Sequence, residues 1–341
     1  MRAAFRGLVV AVIAFGLGAV VLAGPASATL NPFVTFQDAA LSIDGGTDIE
    51  AVNALQSNTP AGATILAAYL YVADVFGGGV AGDVTLNGVF LPVAGGVLLA
   101  PDANPANTRR FDVTANVAAK IGAGGGLVTH TYSESGFTDG AVLVVAWRDA
   151  STTGGTAIIL DGELALAGDS TTLVFGGPYA GGDFLMSLAS SFSFNTGPTG
   201  QVTLVDVTTS SSAIRRLTSC AGGNDDGNFV AANGALMTAG GIGDSATNPD
   251  PACDAAEQDD ELYNLALGNI ANALPFIQIG DTFIRFDTSN PSFDDNVFAL
   301  FFSSAFRVQD PGPRVPEPAS LVLLGAGLAG LAFYRHRGRR R

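Results

Sequence analysis

The chain is poor in the residues that most enzymes need. It has one lysine, Lys120, one tryptophan, Trp147, two cysteines and two histidines in 341 residues. One histidine sits in the extreme C-terminal tail, so the body has only His130. A zinc site of the usual nitrogen and sulfur type lacks ligands. A Ser-His-Asp triad is formally open, but no G-x-S-x-G elbow occurs. His130 falls in a stretch that reads as a strand, where a histidine is far more often packed or at the surface than catalytic. The Gly-Gly-Gly stretches beginning at Gly77 and Gly124 lack the Lys-Ser/Thr ending of a phosphate-binding loop and read as turns. Nor does any apolar run between the two chain ends reach the length of a membrane span. Between those ends lie nine Lys and Arg against 31 Asp and Glu, which excludes a basic nucleic-acid footprint and disfavours anionic membranes.

What is present at the ends is specific. Arg2 and Arg6 precede an apolar run over residues 7–23, Gly24-Pro25 breaks it, and Ala26-Ser27-Ala28 supplies an A-x-A cleavage site. Residues 1–28 therefore read as a secretory signal peptide, handled by the general secretion machinery and signal peptidase, with Thr29 as the mature start. The other end reads Val315-Pro316-Glu317-Pro318, an apolar run over residues 319–334, then five arginines within residues 335–341. A helix of that length spans roughly 24 Å, a little short of a ~30 Å hydrocarbon core, and the arginines place its end in the cytoplasm. Residues 315–341 resemble the PEP-CTERM sorting signal of exported bacterial proteins. The resemblance implies recognition by an exosortase-type membrane protease, transient anchoring in the inner membrane, and delivery to the cell surface or extracellular matrix. Removal of the tail and its retention as a permanent anchor are both open at this point.

The body, residues 29–308, reads as all-β. Overall, 48% hydrophobic content with 14% charge argues against disorder, and 44 glycines without a collagen period fit tight turns between short strands. Strands are expected over residues 64–72, 83–86, 89–93, 110–117 (running into a helical turn near Ala118), 126–132, 141–147, 156–166, 171–175, 184–194, 201–208, 282–288 and 296–308. Asn87-Gly88 is a strong hairpin signal, because a type I′ turn needs positive φ at both central residues. Residues 209–260 read as one long loop, 261–267 as strand or helix, and 269–274 as a turn of helix. Short strands punctuated by turn residues predict a β-sandwich or jelly roll, as one large or two stacked lobes, with a subdivision near residues 176–178 and a linker over 309–314.

Candidate sites are few. Cys220 and Cys253, in an exported chain, point to a disulfide closing a loop of about 33 residues, worth on the order of 3–4 kcal/mol. Three acidic stretches contain Asp225-Asp226, Asp259-Asp260 and Asp294-Asp295. Converging, they would form an oxygen-lined site for Ca²⁺; apart, they are solvated loops with Asx turns. Tyr69, Asn87-Gly88, Phe111-Asp112-Val113-Thr114, Asp139-Gly140, Gly240-Gly241-Ile242-Gly243-Asp244 and Asp287-Thr288 occur in an order similar to that of an uncharacterised group of exported β-rich proteins. That resemblance implies surface display and brings no catalytic residue. The function expected is a non-enzymatic structural or glycan-binding one, with extracellular polysaccharide as partner. The competing class is a hydrolase of matrix polysaccharide, which needs a carboxylate pair about 5–9.5 Å apart in a cleft; a self-assembling surface layer is a third.

Overall fold

The computed structural model describes residues 30–47, 52–73, 82–99, 108–135, 138–164, 168–191, 203–221, 237–248, 261–291 and 296–312. All belong to one compact unit, Ala28–Gly312. The strands in chain order are β1 (Asn31–Gln37), β2 (Ala40–Thr47), β3 (Val52–Thr59), β4 (Thr64–Ala73), β5 (Val84–Leu86), β6 (Val89–Leu91), β7 (Val97–Leu98) and β8 (Arg109–Asp112). Helix α1 (Thr114–Ile121) follows, then β9 (Gly126–Glu134), β10 (Gly140–Arg148), β11 (Thr156–Asp161), β12 (Asp169–Val174) and β13 (Phe184–Ser191). The chain continues with β14 (Thr203–Thr209), β15 (Arg215–Ala221), β16 (Met237–Ala239), β17 (Leu262–Asn264), β18 (Phe283–Ser289) and β19 (Asn296–Ser304).

These strands make four antiparallel sheets. The outer N-terminal sheet runs β3-β9-β5-β6 and the inner one β2-β10-β4-β8-β7. The inner C-terminal sheet runs β1-β11-β19-β13-β16, with β17 also on β13, and the outer one β12-β18-β14-β15. Three apolar cores separate them, so the sheets stack as two sandwiches face to face. Leu55, Leu70, Leu86, Tyr132 and Leu143 lie between the two N-terminal sheets, closed off by Val117 and Ile121 of α1. Leu160, Met186, Val205, Phe286 and Phe302 fill the C-terminal sandwich. Tyr71, Val142, Val144, Phe298 and Phe301 fill the seam between the inner sheets. Strands of an inner sheet bury both faces. On β10, Ala141, Leu143 and Val145 face one core and Val142 and Val144 the other, which is why the strand reads as an unbroken apolar run.

The all-β sandwich expectation holds, in its stacked form, and β19 is central as its phenylalanines suggested. The Asn87-Gly88 turn has φ of 50° and 78° at its two central residues, as a type I′ turn requires. Three readings are corrected. Strands β1 to β3 lie in a region where no strand was expected. β1 has no fully buried residue, and β2 carries Asp44-Gly45-Gly46, which resembles a turn. The glycines serve packing instead: a Cβ at Gly140 of β10 would lie 2.1 Å from the Gly46 carbonyl oxygen. The supposed loop over residues 209–260 contains β15 and β16. β15 hides its strand character behind Arg215-Arg216, of which Arg216 pairs with Asp206 on β14. Residues 269–274 are not helical; Asn269 and Asn272 exchange backbone hydrogen bonds across a turn.

A buried polar link crosses the seam. Tyr71 of β4 donates to Asp161 Oδ2 of β11 at 2.9 Å, and Arg110 of β8 pairs with the same oxygen. The Arg110 guanidinium also stacks on Phe33 of β1, 3.3 Å from the ring centroid. Burial pushes the Asp161 carboxyl above its ordinary range despite Arg110.

Candidate functional site

The sequence-predicted site residues fall outside the described residues: Ala26, Ala28, Asp225, Asp226, Cys253, Asp259, Asp260, Asp294, Asp295 and the sorting residues Val315, Pro316, Glu317 and Pro318. Cys220 lies on β15, but its side chain is outside the described set. The strands that follow two of the acidic stretches start side by side. Met237, which follows the first, and Asn296, which follows the third, both pair with Ser191 at the end of β13. The second ends at Glu261, whose carbonyl accepts the Leu188 N–H further along the same strand. Among the described residues no group of three or more His, Cys, Asp or Glu is placed to hold a metal ion. No described helix is long and apolar enough to cross a membrane.

His130 is fastened, not catalytic, in this arrangement. Its Nε2 lies 2.9 Å from Ser57 Oγ, and its Nδ1 lies 3.0 Å from Asn87 Nδ2. That Ser-His-Asn geometry invites comparison with an activated nucleophile, so the direction of each bond decides. An amide nitrogen only donates. The Asn87 orientation is set by its Oδ1 accepting the Thr131 N–H and its Nδ2 donating to Asn116 Oδ1. Nδ1 is therefore the acceptor, the ring proton sits on Nε2, and Nε2 donates to Ser57. A general base would need the reverse. Ser57 and His130 are also both fully buried. Burial, then the charge of Lys120, lowers the imidazole to about 4, so it is neutral at physiological pH. The cluster pins the β5–β6 turn across β9 and β3.

A concave feature of the described surface lies at one side of the seam. Two adjoining depressions, of about 340 and 220 Å³, share Trp147, Leu185 and Ser303. The larger is walled by Leu41, Ser42 and Ile43 of β2, Asn58 of β3, Ser187 of β13, Leu262 of β17, Phe301 of β19 and the run Gly240-Gly241-Ile242-Gly243. The smaller continues past Ala39, Ser151, Thr152, Thr153, Asp183 and Ser304. Both lobes therefore contribute walls.

Local chemistry builds this groove. The chain after β16 must pass between β2 and β17 with almost no room. A Cβ at Gly241 would lie 2.1 Å from the Ile43 carbonyl oxygen, and one at Gly240 would lie 2.3 Å from that of Glu261. Only glycine fits both contacts. The passage is then locked by Ile242 N–H to Ile43 O at 2.9 Å and by the Asp244 carboxylate accepting the Gly241 N–H. Ser187 Oγ donates to Gly240 O, Ser303 Oγ accepts the Leu41 N–H at 3.1 Å, and Ser42 Oγ accepts the Asn58 N–H at 2.8 Å. Trp147 ends the apolar run of β10, opposite a register shift in β4 between Ala67 and Ile65; such shifts re-aim side chains. Its Nε1–H is shielded from solvent and has no partner among the described residues. The lining mixes aliphatic side chains (Leu41, Ile43, Leu185, Ile242 and Leu262) with hydroxyl, amide, aromatic and backbone groups. Its single carboxylate, Asp183, accepts from Asn264 Nδ2 at 2.9 Å. Sequence reasoning had marked the Gly240–Asp244 run without assigning it a task, and had not singled out Trp147.

Residues 314–340 match the PEP-CTERM protein-sorting motif. The motif marks an exported protein, transiently anchored by its C-terminal region and processed by an exosortase-type membrane protease. No curated protein matches the chain. Among solved structures, the major capsid protein P2 from Bacteriophage PM2 is 11% identical over 79% of this chain and 98% of its own, with a TM-score of 0.21. PNGF-II is 7% identical over 82% of this chain and 66% of its own, TM-score 0.26. The CBM22-1-CBM22-2 tandem domain from Paenibacillus barcinonensis Xyn10C is 8% identical over 84% and 99%, TM-score 0.19. Scores this low carry no argument about this chain.

Proposed function

We propose that this exported, exosortase-sorted chain is a non-enzymatic cell-surface or matrix protein that grips extracellular polysaccharide in the groove at Trp147. The observation that carries the reading is the groove's lining: the chain's one tryptophan among leucine and isoleucine side chains and serine, threonine and asparagine groups, with one carboxylate, in a body crowded with acid. Sugar rings present apolar C–H faces and a rim of hydroxyls. An indole offers a large rigid apolar surface to the first, and short hydroxyl and amide side chains bond the second. Hydrolysis asks for two carboxylates facing across the cleft, and Asp183 has no carboxylate opposite it among the described lining residues. The acidic stretches enter the reading as a calcium-dependent reinforcement, since the strands that follow two of them start beside Ser191.

Co-sedimentation with extracellular polysaccharide from a producing strain, with calcium or chelator, tests this when reducing ends are measured in the same tubes. Pelleting without new reducing ends is expected. Trp147→Ala should weaken it roughly 30-fold, the loss of about 2 kcal/mol typical of a central aromatic contact. New reducing ends in the wild type that disappear in Asp183→Asn would sink the non-enzymatic reading. Pelleting that Trp147→Ala leaves intact would move the site elsewhere.

A further inference from the structure

One segment runs against the composition of the whole body. Residues 265–280 contain no charged side chain, although 31 acids crowd the chain. Buried Leu265, Phe276 and Ile277 pin the segment to the C-terminal core. Its remaining large apolar residues point the other way: Leu267 is 43% exposed, Ile270 78%, Leu274 60% and Ile279 73%, with Ile214 beside them at 61%. Exposed apolar groups gathered in this way mark an interaction surface when they are held in place.

They are held firmly. Arg215 donates to the carbonyls of Pro275 at 2.8 Å and Leu274 at 2.7 Å, and its guanidinium lies over the Phe276 ring, 4.2 Å from the centroid. Asn248 Nδ2 bonds the carbonyls of Asn264 and Gly268 from the other side. The carboxylate that closes the segment, Asp281, is buried and accepts from Ser210 Oγ and the Gln278 N–H. The exposed cap is thus a preformed loop with a cation, Arg215, beside it and its adjoining carboxylate, Asp281, buried.

Its place in the fold says what it meets. β14 ends and β15 and β18 begin at this end of the outer C-terminal sheet, while β16 and β19 of the inner sheet start at the other end of the sandwich. The last described segment returns to the loop's end: Val308 pairs with Phe175, and Gln309 N–H bonds Val174 O at 2.8 Å. Val174 pairs with Phe283, three residues beyond the loop. From Gly312, only residues 313–318 precede the apolar run, a reach of at most about 25 Å.

We infer that this loop is a membrane-contact surface, which rests Ile214, Leu267, Ile270 and Leu274 in the headgroup layer of the bilayer while the C-terminal region anchors the chain. An acidic body is repelled by anionic lipid. A short tether nevertheless holds it close, so an uncharged apolar cap flanked by arginine is the surface suited to that contact. Apolar side chains of this kind insert to about 5–10 Å at the boundary of headgroups and acyl chains.

The test uses the chain with its own tail, reconstituted in vesicles of phosphatidylethanolamine and phosphatidylglycerol. In a Trp147→Phe background, Ile270→Trp or Leu274→Trp reports on the loop, and Leu127→Trp on the exposed face of the outer N-terminal sheet. Acyl chains brominated near the headgroup should quench the loop tryptophans about twofold or more and leave Leu127→Trp nearly unchanged. Equal quenching at the two places, or none at the loop, overturns the inference. So does a loop emission that shifts with protein concentration in detergent, which would assign the surface to a second copy of the chain.

Discussion

Replacing Asp44 with asparagine is expected to stabilise the protein at neutral pH. Asp44 lies on β2, the edge of an inner sheet, and is 6% exposed. Two influences act on it: burial raises its pKa, and the Gln56 N–H bonded to Oδ2 lowers it. Burial wins, and the carboxyl is pushed up to about 7 from 3.8. A raised folded value means that its contribution is fully favourable below 3.8 and is lost as the pH climbs through about 7. At about 1.4 kcal/mol per tenfold change in proton affinity, the ceiling on that loss is about 4 kcal/mol. Asparagine keeps an acceptor for Gln56 and carries no charge, so Asp44→Asn should gain about 1–3 kcal/mol near pH 8 and almost nothing near pH 4.

His130 works in the opposite sense. Its folded value, lowered to about 4 from 6.5, gives stability that is present above 6.5 and lost as the pH falls through about 4. In the wild type the two slopes offset one another between about pH 4 and 7. Asp161, raised by burial, adds to the Asp44 side. Removing Asp44 should therefore uncover the histidine, and the stability of Asp44→Asn should rise with pH across that window. Urea denaturation followed by circular dichroism at about pH 4.5, 6 and 8 reads this directly. A variant profile parallel to that of the wild type, or a variant less stable than the wild type near pH 8, would refute the reasoning.

Other outcomes follow from single contacts. Tyr71→Phe should cost about 1.5–3 kcal/mol by removing a buried bond to a carboxylate, and Asp161→Ala about 3–5 kcal/mol because Arg110 and Tyr71 lose their shared partner inside the seam; urea midpoints should rank them in that order. Gly241→Ala, whose Cβ would lie 2.1 Å from the Ile43 carbonyl oxygen, should part the chain after β16 from β2. Hydrogen exchange should then rise at Ile242 while the β14–β18 ladder stays protected. Gly88→Ala, at φ 78° in the type I′ turn, should cost about 1 kcal/mol in thermal unfolding through backbone strain alone, since open space surrounds the position.

The residues that made the fold legible were those whose pattern needs no partner. The apolar run of β10, the phenylalanines of β19 and the Asn87-Gly88 turn declare themselves from local chemistry. β1, β2 and β15 did not, because what makes them strands is the neighbour they meet. Gly46 reads as a turn until Gly140 is seen against it, and Arg216 reads as loop until Asp206 is opposite. The groove was hidden for the same reason. Its walls come from residues 39–43, 58, 147–155, 183–187, 240–243, 262 and 301–305, which no spacing rule joins. The Gly240-Gly241 pair was the one local signal, since adjacent glycines in a strand-rich region imply close backbone approach.

The stacked architecture also explains how a groove with a single carboxylate forms in so acidic a chain. A strand buried on both faces tolerates charge only at its ends. Accordingly β4, β13 and β19 carry no charged residue, and β10 and β11 carry one each, at the terminal positions Arg148 and Asp161. Charges that these strands refuse appear on β14, β15 and β18 of the outer C-terminal sheet, on β8 next to the edge of the inner N-terminal sheet, or in the connections. Asp44, on an edge strand of an inner sheet, departs from this rule, and its raised pKa is the consequence. Where the inner sheets reach the surface at one side of the seam, their uncharged side chains become the walls of a depression. The groove at Trp147 therefore carries a single carboxylate, Asp183, because it is the exposed margin of the seam, and both lobes line it.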